Sequence, residues 1–277
     1  MSTHSTPGTG PGIGTGTGTG SAAVPGPSPA AAPPAQRIGA QARFELRNLL
    51  GNGEQLLLTV VIPLVVLGLM TFTGIAGSTK AERLDQAVPA VLTLVVLSTA
   101  FTSLAIGTGF DRRYGVLKHL GSTPLGSGGL LAAKALAVAV IELAQALLIV
   151  VVALLLGWSG PGSALGWLVT AVFMVLGTVA LGALGFWLAG VLRAEAVLAV
   201  ANAVFLVLLG AGGIAVPLDR LPSGWAAIAR LLPTGAMAEG IGGALADPLQ
   251  VAFSALIVLA IWAVGGTLLA VRFFRWD

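Results

Sequence analysis

The residues able to do chemistry are few and unevenly spread. Between positions 110 and 134 the chain reads FDRRYGVLKHLGSTPLGSGGLLAAK, so Asp111, Arg112, Arg113, Tyr114, Lys118 and His119 fall within nine residues. Elsewhere Glu142, Gln145 and Asn202 stand inside long apolar runs, and Ser159 sits in the quartet GWSG. A serine nucleophile needs a base within reach to take its proton, and the sequence offers only His4 and His119. Phosphate binding would need a glycine loop. The glycines at 8, 10, 12, 14, 16, 18 and 20 all occupy even positions, so the three-residue step of G-x-G-x-x-G is missing. None of Lys80, Lys118 and Lys134 follows a glycine, which excludes a Walker A loop. With no cysteine, disulfides, thiolate metal sites and a cysteine nucleophile are excluded as well.

The elements that must position these residues are membrane helices. Of 277 residues, 56% are hydrophobic and only 9% charged, with a mean hydropathy of +0.96. A soluble domain carries about 25% charged residues, so much of this chain must face lipid. A helix needs about 20 apolar residues to cross the hydrocarbon core. Six candidate spans meet that need: 56–77, 86–109, 130–156, 165–190, 196–213 and 248–271. KAERLD (80–85), the charged stretch from Phe110, WSGPGS (158–163) and Arg193–Glu195 divide them, and a longer segment, 214–247, precedes the last. Residues 1–36 hold no Lys, Arg, Asp or Glu and no apolar run. That excludes a signal peptide there and predicts a disordered tail, because Gly, Thr, Ser and Pro repeats cannot bury enough surface to offset chain entropy.

Six spans put both termini on one side. If that side is cytoplasmic, it holds Arg37, Arg43, Arg47, Arg112, Arg113, Lys118, Arg193, Arg272 and Arg275, against Lys80, Arg83, Arg220 and Arg230 outside. Nine against four obeys the positive-inside rule. The net charge of +3 then reflects orientation in the bilayer and not nucleic-acid binding. Before the first span, RIGAQARFELRNLLGNGEQ (37–55) interleaves Phe44 and leucines with Arg43 and Arg47, as in an amphipathic helix on the inner membrane surface. Ser159 and His119 fall on opposite sides of the membrane, which sets aside an intramembrane serine protease.

In the stretch from Phe110, the residues Phe110, Tyr114, Leu117 and Leu120 recur at helical spacing among basic neighbours, and Thr123-Pro124 disfavours further helix. About two turns of helix with an apolar ridge and a basic rim are expected, suited to docking in a partner's groove. GVLKHLGSTPLGSGGLLAAK resembles the cytoplasmic loop of ABC type-2 export permeases, with Asp111, Arg112, Gly115, Leu117, Leu120, Thr123, Pro124, Leu125 and Lys134 in the motif positions. Arg113, Val116 and Gly126 depart from it. PLDRLPSGWAAIARLLPTGAMAEGI (217–241) is similar to that family's extracellular segment, through Pro222, Trp225, Leu232 and Pro233.

The resemblance covers 37–277. It implies an all-α membrane domain of six helices with cytoplasmic termini, an interfacial N-terminal helix and re-entrant-like extracellular helices before the last span. It also implies a homodimer in the plasma membrane and a separate ABC ATPase subunit that binds ATP and Mg, leaving this chain without cofactors or catalysis. The ATPase would receive the loop (Asp111, Arg112, Arg113, Tyr114, Gly115, Leu117, Lys118, Leu120, Thr123 and Pro124) and touch the helix carrying Arg43, Phe44 and Arg47. The cargo expected is hydrophobic or amphipathic, drug-like or lipid-like. Polar and ionisable groups inside spans default to function, so Glu142, Gln145 and Asn202 are candidates for a substrate path or a permease seam, with a purely structural Glu142 as the alternative. Lys134 is eight residues from Glu142, about 12 Å along a helix, and is not its obvious partner. No GxxxG motif marks a dimer face in the spans. A secondary transporter remains an alternative, allowed by Pro63 and Glu142.

Overall fold

The computed structural model describes residues 32–51, 53–73, 77–117 and 125–274. Residues 1–31 of the expected tail lie outside them, as do Lys118, Leu120, Thr123 and Pro124 of the expected coupling loop, both histidines and Arg275. The end of that tail is not disordered, because Pro34–Gln36 form the first turn of the helix Pro34–Gly51.

Every regular element among the described residues is helical. In order they are α1 (Pro34–Gly51), α2 (Gly53–Phe72), α3 (Lys80–Val96), a π-helical segment (Leu97–Ser103) and α4 (Leu104–Arg113), followed by α5 (Gly126–Leu155) and α6 (Ala164–Val191). Then come α7 (Ala194–Ala211), a 3₁₀ turn (Leu218–Arg220), α8 (Ser223–Leu231), α9 (Pro233–Ala246) and α10 (Phe253–Phe273). Five helices are long and apolar enough to cross a bilayer: Lys80–Arg113, Gly128–Leu155, Ala164–Val191, Ala194–Ala211 and Phe253–Phe273. The first expected span corresponds to α2, whose apolar part, Thr59–Phe72, is shorter than these. The protein is an all-α integral membrane protein.

Local chemistry sets the helix ends. Thr79 Oγ1 accepts from the Glu82 N–H while Glu82 Oε2 accepts from the Ser78 and Thr79 N–H groups, a capping box that starts α3. Ser163 caps α6 through the Gly166 N–H. Pro233 opens α9 in its first turn, where a missing N–H costs nothing.

The continuous helix α3–π–α4 is the centre of the molecule, and every residue from Ala87 to Leu97 is buried. In the π-helical segment each turn takes up extra backbone, which re-aims side chains relative to an α-helix. Here that turns Thr99 towards α5, where its hydroxyl donates to Gln145 Oε1 at 3.0 Å. Helix α6 packs most extensively on α10 and also on α4, through small residues. A methyl added at Gly185 would lie 2.8 Å from the Phe101 carbonyl oxygen, and one at Gly190 would lie 2.7 Å from the Phe274 ring. Close helix approach of this kind needs small residues, not a strict GxxxG.

The loop departs from expectation. Among the described residues no separate helix starts at Phe110; Val116 and Leu117 are helical again, and residues 118–124 lie outside those described. Instead α4 continues straight out of the second span and stops at Arg113. Gly115 has φ +73°, the left-handed conformation that ends helices and that a residue without a Cβ adopts freely. Phe110, Tyr114 and Leu117 therefore do not form one ridge. Tyr114 is 71% exposed, whereas Leu117 is buried at 1% and belongs to the core.

Candidate functional site

Successive residues on a helix point about 100° apart, so three in a row face three directions. Asp111, Arg112 and Arg113 use this to grip three different neighbours. Lys134, on α5, donates to Asp111 Oδ2 at 2.6 Å and to Glu45 Oε2 of α1 at 2.9 Å. The lysine side chain is 9% exposed and Glu45 12%, so this is a nearly enclosed ion cluster joining α1, α4 and α5. Arg112 donates from Nη1 to the Gly190 carbonyl at 2.7 Å and from Nη2 to the Leu192 carbonyl at 2.5 Å. These carbonyls belong to the C-terminal end of α6, where the helix itself supplies no donor. Arg113 pairs with Glu195 in the first turn of α7.

Two charges of the expected basic rim, Arg112 and Arg113, are therefore occupied within the chain; Lys118 and His119 lie outside the described residues. Tyr114 is exposed, and its ring stacks on Phe110 with centroids 6.2 Å apart. An exposed tyrosine thus sits on the end of a helix tied to α1, α5, α6 and α7.

Helix α1 forms over the amphipathic stretch and packs on α5. Ala42 is buried, and Glu45, three residues on, meets Lys134. Arg43, Phe44 and Arg47 are exposed on the opposite side, together with Leu50. An outward mixture of guanidinium and apolar groups suits an interface with headgroups or protein.

The intramembrane candidates separate into two places. Glu142 and Gln145, one turn apart on α5, are 3% and 5% exposed and both face neighbouring helices. Glu142 Oε2 accepts from Thr178 Oγ1 of α6 at 2.5 Å, and Oε1 has no hydrogen-bond partner. Gln145 accepts from Thr99 and donates to the Thr59 carbonyl of α2 at 3.0 Å. Together they tie α2, the π segment and α6 to α5. Asn202 does not join them; it is exposed on α7.

Two further polar features went unread in the sequence. The Glu45–Lys134–Asp111 cluster is one; the only signal was that Lys134 stands at the inner edge of its span. The other is Trp158 of GWSG, whose Nε1 donates to Asp85 Oδ1 at 2.9 Å while its ring meets Trp167 edge-on, 6.0 Å between centroids. That quartet fastens the start of α3 to the α5–α6 turn.

A family model described as ABC-2 type transporter matches residues 36–245. No curated protein matches the chain.

Proposed function

The chain belongs to the ABC-2 type transporter family, and from that membership we propose that it is the permease of an exporter driven by a separate ABC ATPase. Two copies would pair with two ATPases in the plasma membrane, each with six spans and cytoplasmic termini, an orientation supported by nine basic residues against four. ATP and Mg would be held by the partner.

The observation that carries this reading is how Tyr114 is mounted. An aromatic side chain exposed to 71% stands just beyond a helix whose preceding three residues bind α1, α5, α6 and α7. Force applied there would pass along α4 and the buried α3–π segment as a rigid-body motion, without being absorbed by a flexible loop. Arg43, Phe44 and Arg47 would lie beside the same contact. Gly115, Leu117, Lys118, Leu120, Thr123 and Pro124 would complete the loop.

The hydrophobic or amphipathic cargo is supported by a wholly apolar cavity of about 200 Å³ lined by Phe101, Leu184, Trp187, Val204, Leu208 and Trp262. Glu142 and Gln145 would hold the helices around the transport route in register rather than face the cargo.

Mild-detergent purification of the tagged full chain from membranes tests the partnership. An ATPase carrying Walker motifs should co-purify in equal amount, and Tyr114→Asp should release it while the permease still inserts. A permease recovered alone under every condition, or a Tyr114→Asp complex as stable as wild type, would refute the proposal.

A further inference from the structure

At the opposite end of α3 from the loop lies a cavity of about 340 Å³ between α3, α8 and α9. Its size falls at the lower end of the range for small-molecule pockets, about 300–1,000 Å³.

Its walls carry a particular balance of charge and hydrogen bonding. Two carboxylates, Asp85 and Glu239, and one guanidinium, Arg230, line it. Arg230 Nε lies 3.3 Å from Glu239 Oε1, which pairs those two. Asp85 accepts a hydrogen bond through Oδ1 from the neutral indole N–H of Trp158, and that contact does not cancel its charge. Among the lining residues one negative charge is left over. Gln86 also lines the cavity, and its Oε1 is buried with no hydrogen-bond partner. A buried acceptor without a donor is uncommon and calls for one. The terminal torsion of a glutamine is broad, so rotating the amide presents this acceptor to the cavity at small cost.

The rest of the wall is apolar or bare. Pro89 supplies carbon surface from α3, and Gly242 leaves open space on α9. A methyl added at Gly242 would make only ordinary contact with Pro89, at 3.8 Å. The glycine is thus not required by close backbone packing there, and its missing side chain is what keeps the cavity open.

We propose that this cavity binds a small organic ammonium compound, its N–H groups donating to Asp85, Glu239 and Gln86 and its apolar body lying over Gly242 and against Pro89. A cation answers the net negative charge of the lining residues, N–H donors answer the surplus of acceptors, and the carbon wall selects against a bare metal ion. The claim stands on the cavity alone and needs no ATPase.

Calorimetric titration of the full chain in phosphatidylcholine nanodiscs tests it, with empty discs subtracted. The probes are 2-phenylethylammonium and its neutral counterpart 2-phenylethanol. Saturable binding of the amine, about tenfold tighter than the alcohol, is expected from one attractive charge in a partly enclosed site. Asp85→Asn keeps an oxygen for Trp158 and Glu239→Gln keeps one for Arg230. Each should weaken the amine about fivefold or more and leave the alcohol unchanged. Gly242→Leu should fill the space and abolish amine binding while the thermal midpoint holds. Amine heat no greater than that of empty discs would mean hydration water only and overturn the site. So would equal binding of the two probes, or amine binding that survives Gly242→Leu in folded protein. Because no ATPase is in the disc, a failure of ATP coupling elsewhere leaves these outcomes untouched.

Discussion

Replacing Lys134 by Met removes the only cation from a nearly enclosed triad. Glu45 and Asp111, which accept from it at 2.9 and 2.6 Å and are 12% and 31% exposed, would then face each other as unpaired carboxylates. Breaking a buried pair by deleting one partner costs about 3–5 kcal/mol. Asp111 keeps some contact with solvent, so the lower figure, about 3 kcal/mol, applies here. For a chain of this size about 2–4 °C of thermal midpoint accompanies each kcal/mol, giving a drop of about 6–12 °C in detergent. The informative control is the triple variant Lys134→Met, Glu45→Gln, Asp111→Asn, which leaves no charge behind. It should recover most of the loss, because a neutral, well-packed replacement of a buried ion group is often harmless. Thermal unfolding followed by tryptophan fluorescence measures both. A single variant as stable as wild type, or a triple variant no better than the single, would show that the cluster does not join α1, α4 and α5.

Three other outcomes follow from the packing. Arg112→Ala should loosen the end of α6, at about 1.5–3 kcal/mol for each charged hydrogen bond lost, and Arg112→Lys should rescue only part; hydrogen exchange over residues 186–193 reports it. Gly185→Leu should sharply reduce folded, monodisperse protein, since even a methyl there would lie 2.8 Å from the Phe101 carbonyl oxygen, whereas Gly265→Ala, with nothing within 4 Å, should be neutral by size-exclusion yield. Glu142→Gln keeps an acceptor for Thr178 and should assemble normally, and transport of a matched cationic and neutral cargo should change equally, because the side chain is 3% exposed and turned to its neighbours. A selective loss of the cationic cargo would instead place Glu142 on the route.

Most of the architecture could be read before the structure because lipid enforces it. The expected spans 130–156 and 165–190 match α5 (Gly126–Leu155) and α6 (Ala164–Val191) to within a few residues, since apolar length is nearly the whole requirement. In the stretch from Phe110 the structure differs from the helical period. Phe110, Tyr114 and Leu117 fit a helical period, but Gly115 between them takes a left-handed conformation, and local periodicity cannot detect that. Charge pairing was also hidden. Sequence gives the sign of Glu45, Asp111 and Lys134, yet their meeting depends on how α1 lies across α5, a tertiary matter. The close packing of α6 does not follow a GxxxG spacing: its contacts run through Gly182, Gly185 and Gly190 against partners of different size.

If the proposed function holds, transport is coupled to a partner's ATP hydrolysis through Tyr114. Proteoliposomes containing the full chain and its co-purified ATPase, loaded with a fluorescent hydrophobic cargo, test it in one assay. The account expects movement only with ATP, Mg and both subunits present. Tyr114→Asp should abolish it in a permease that still inserts and folds. Transport by the permease alone, or transport undiminished by Tyr114→Asp at equal protein level, would contradict the account.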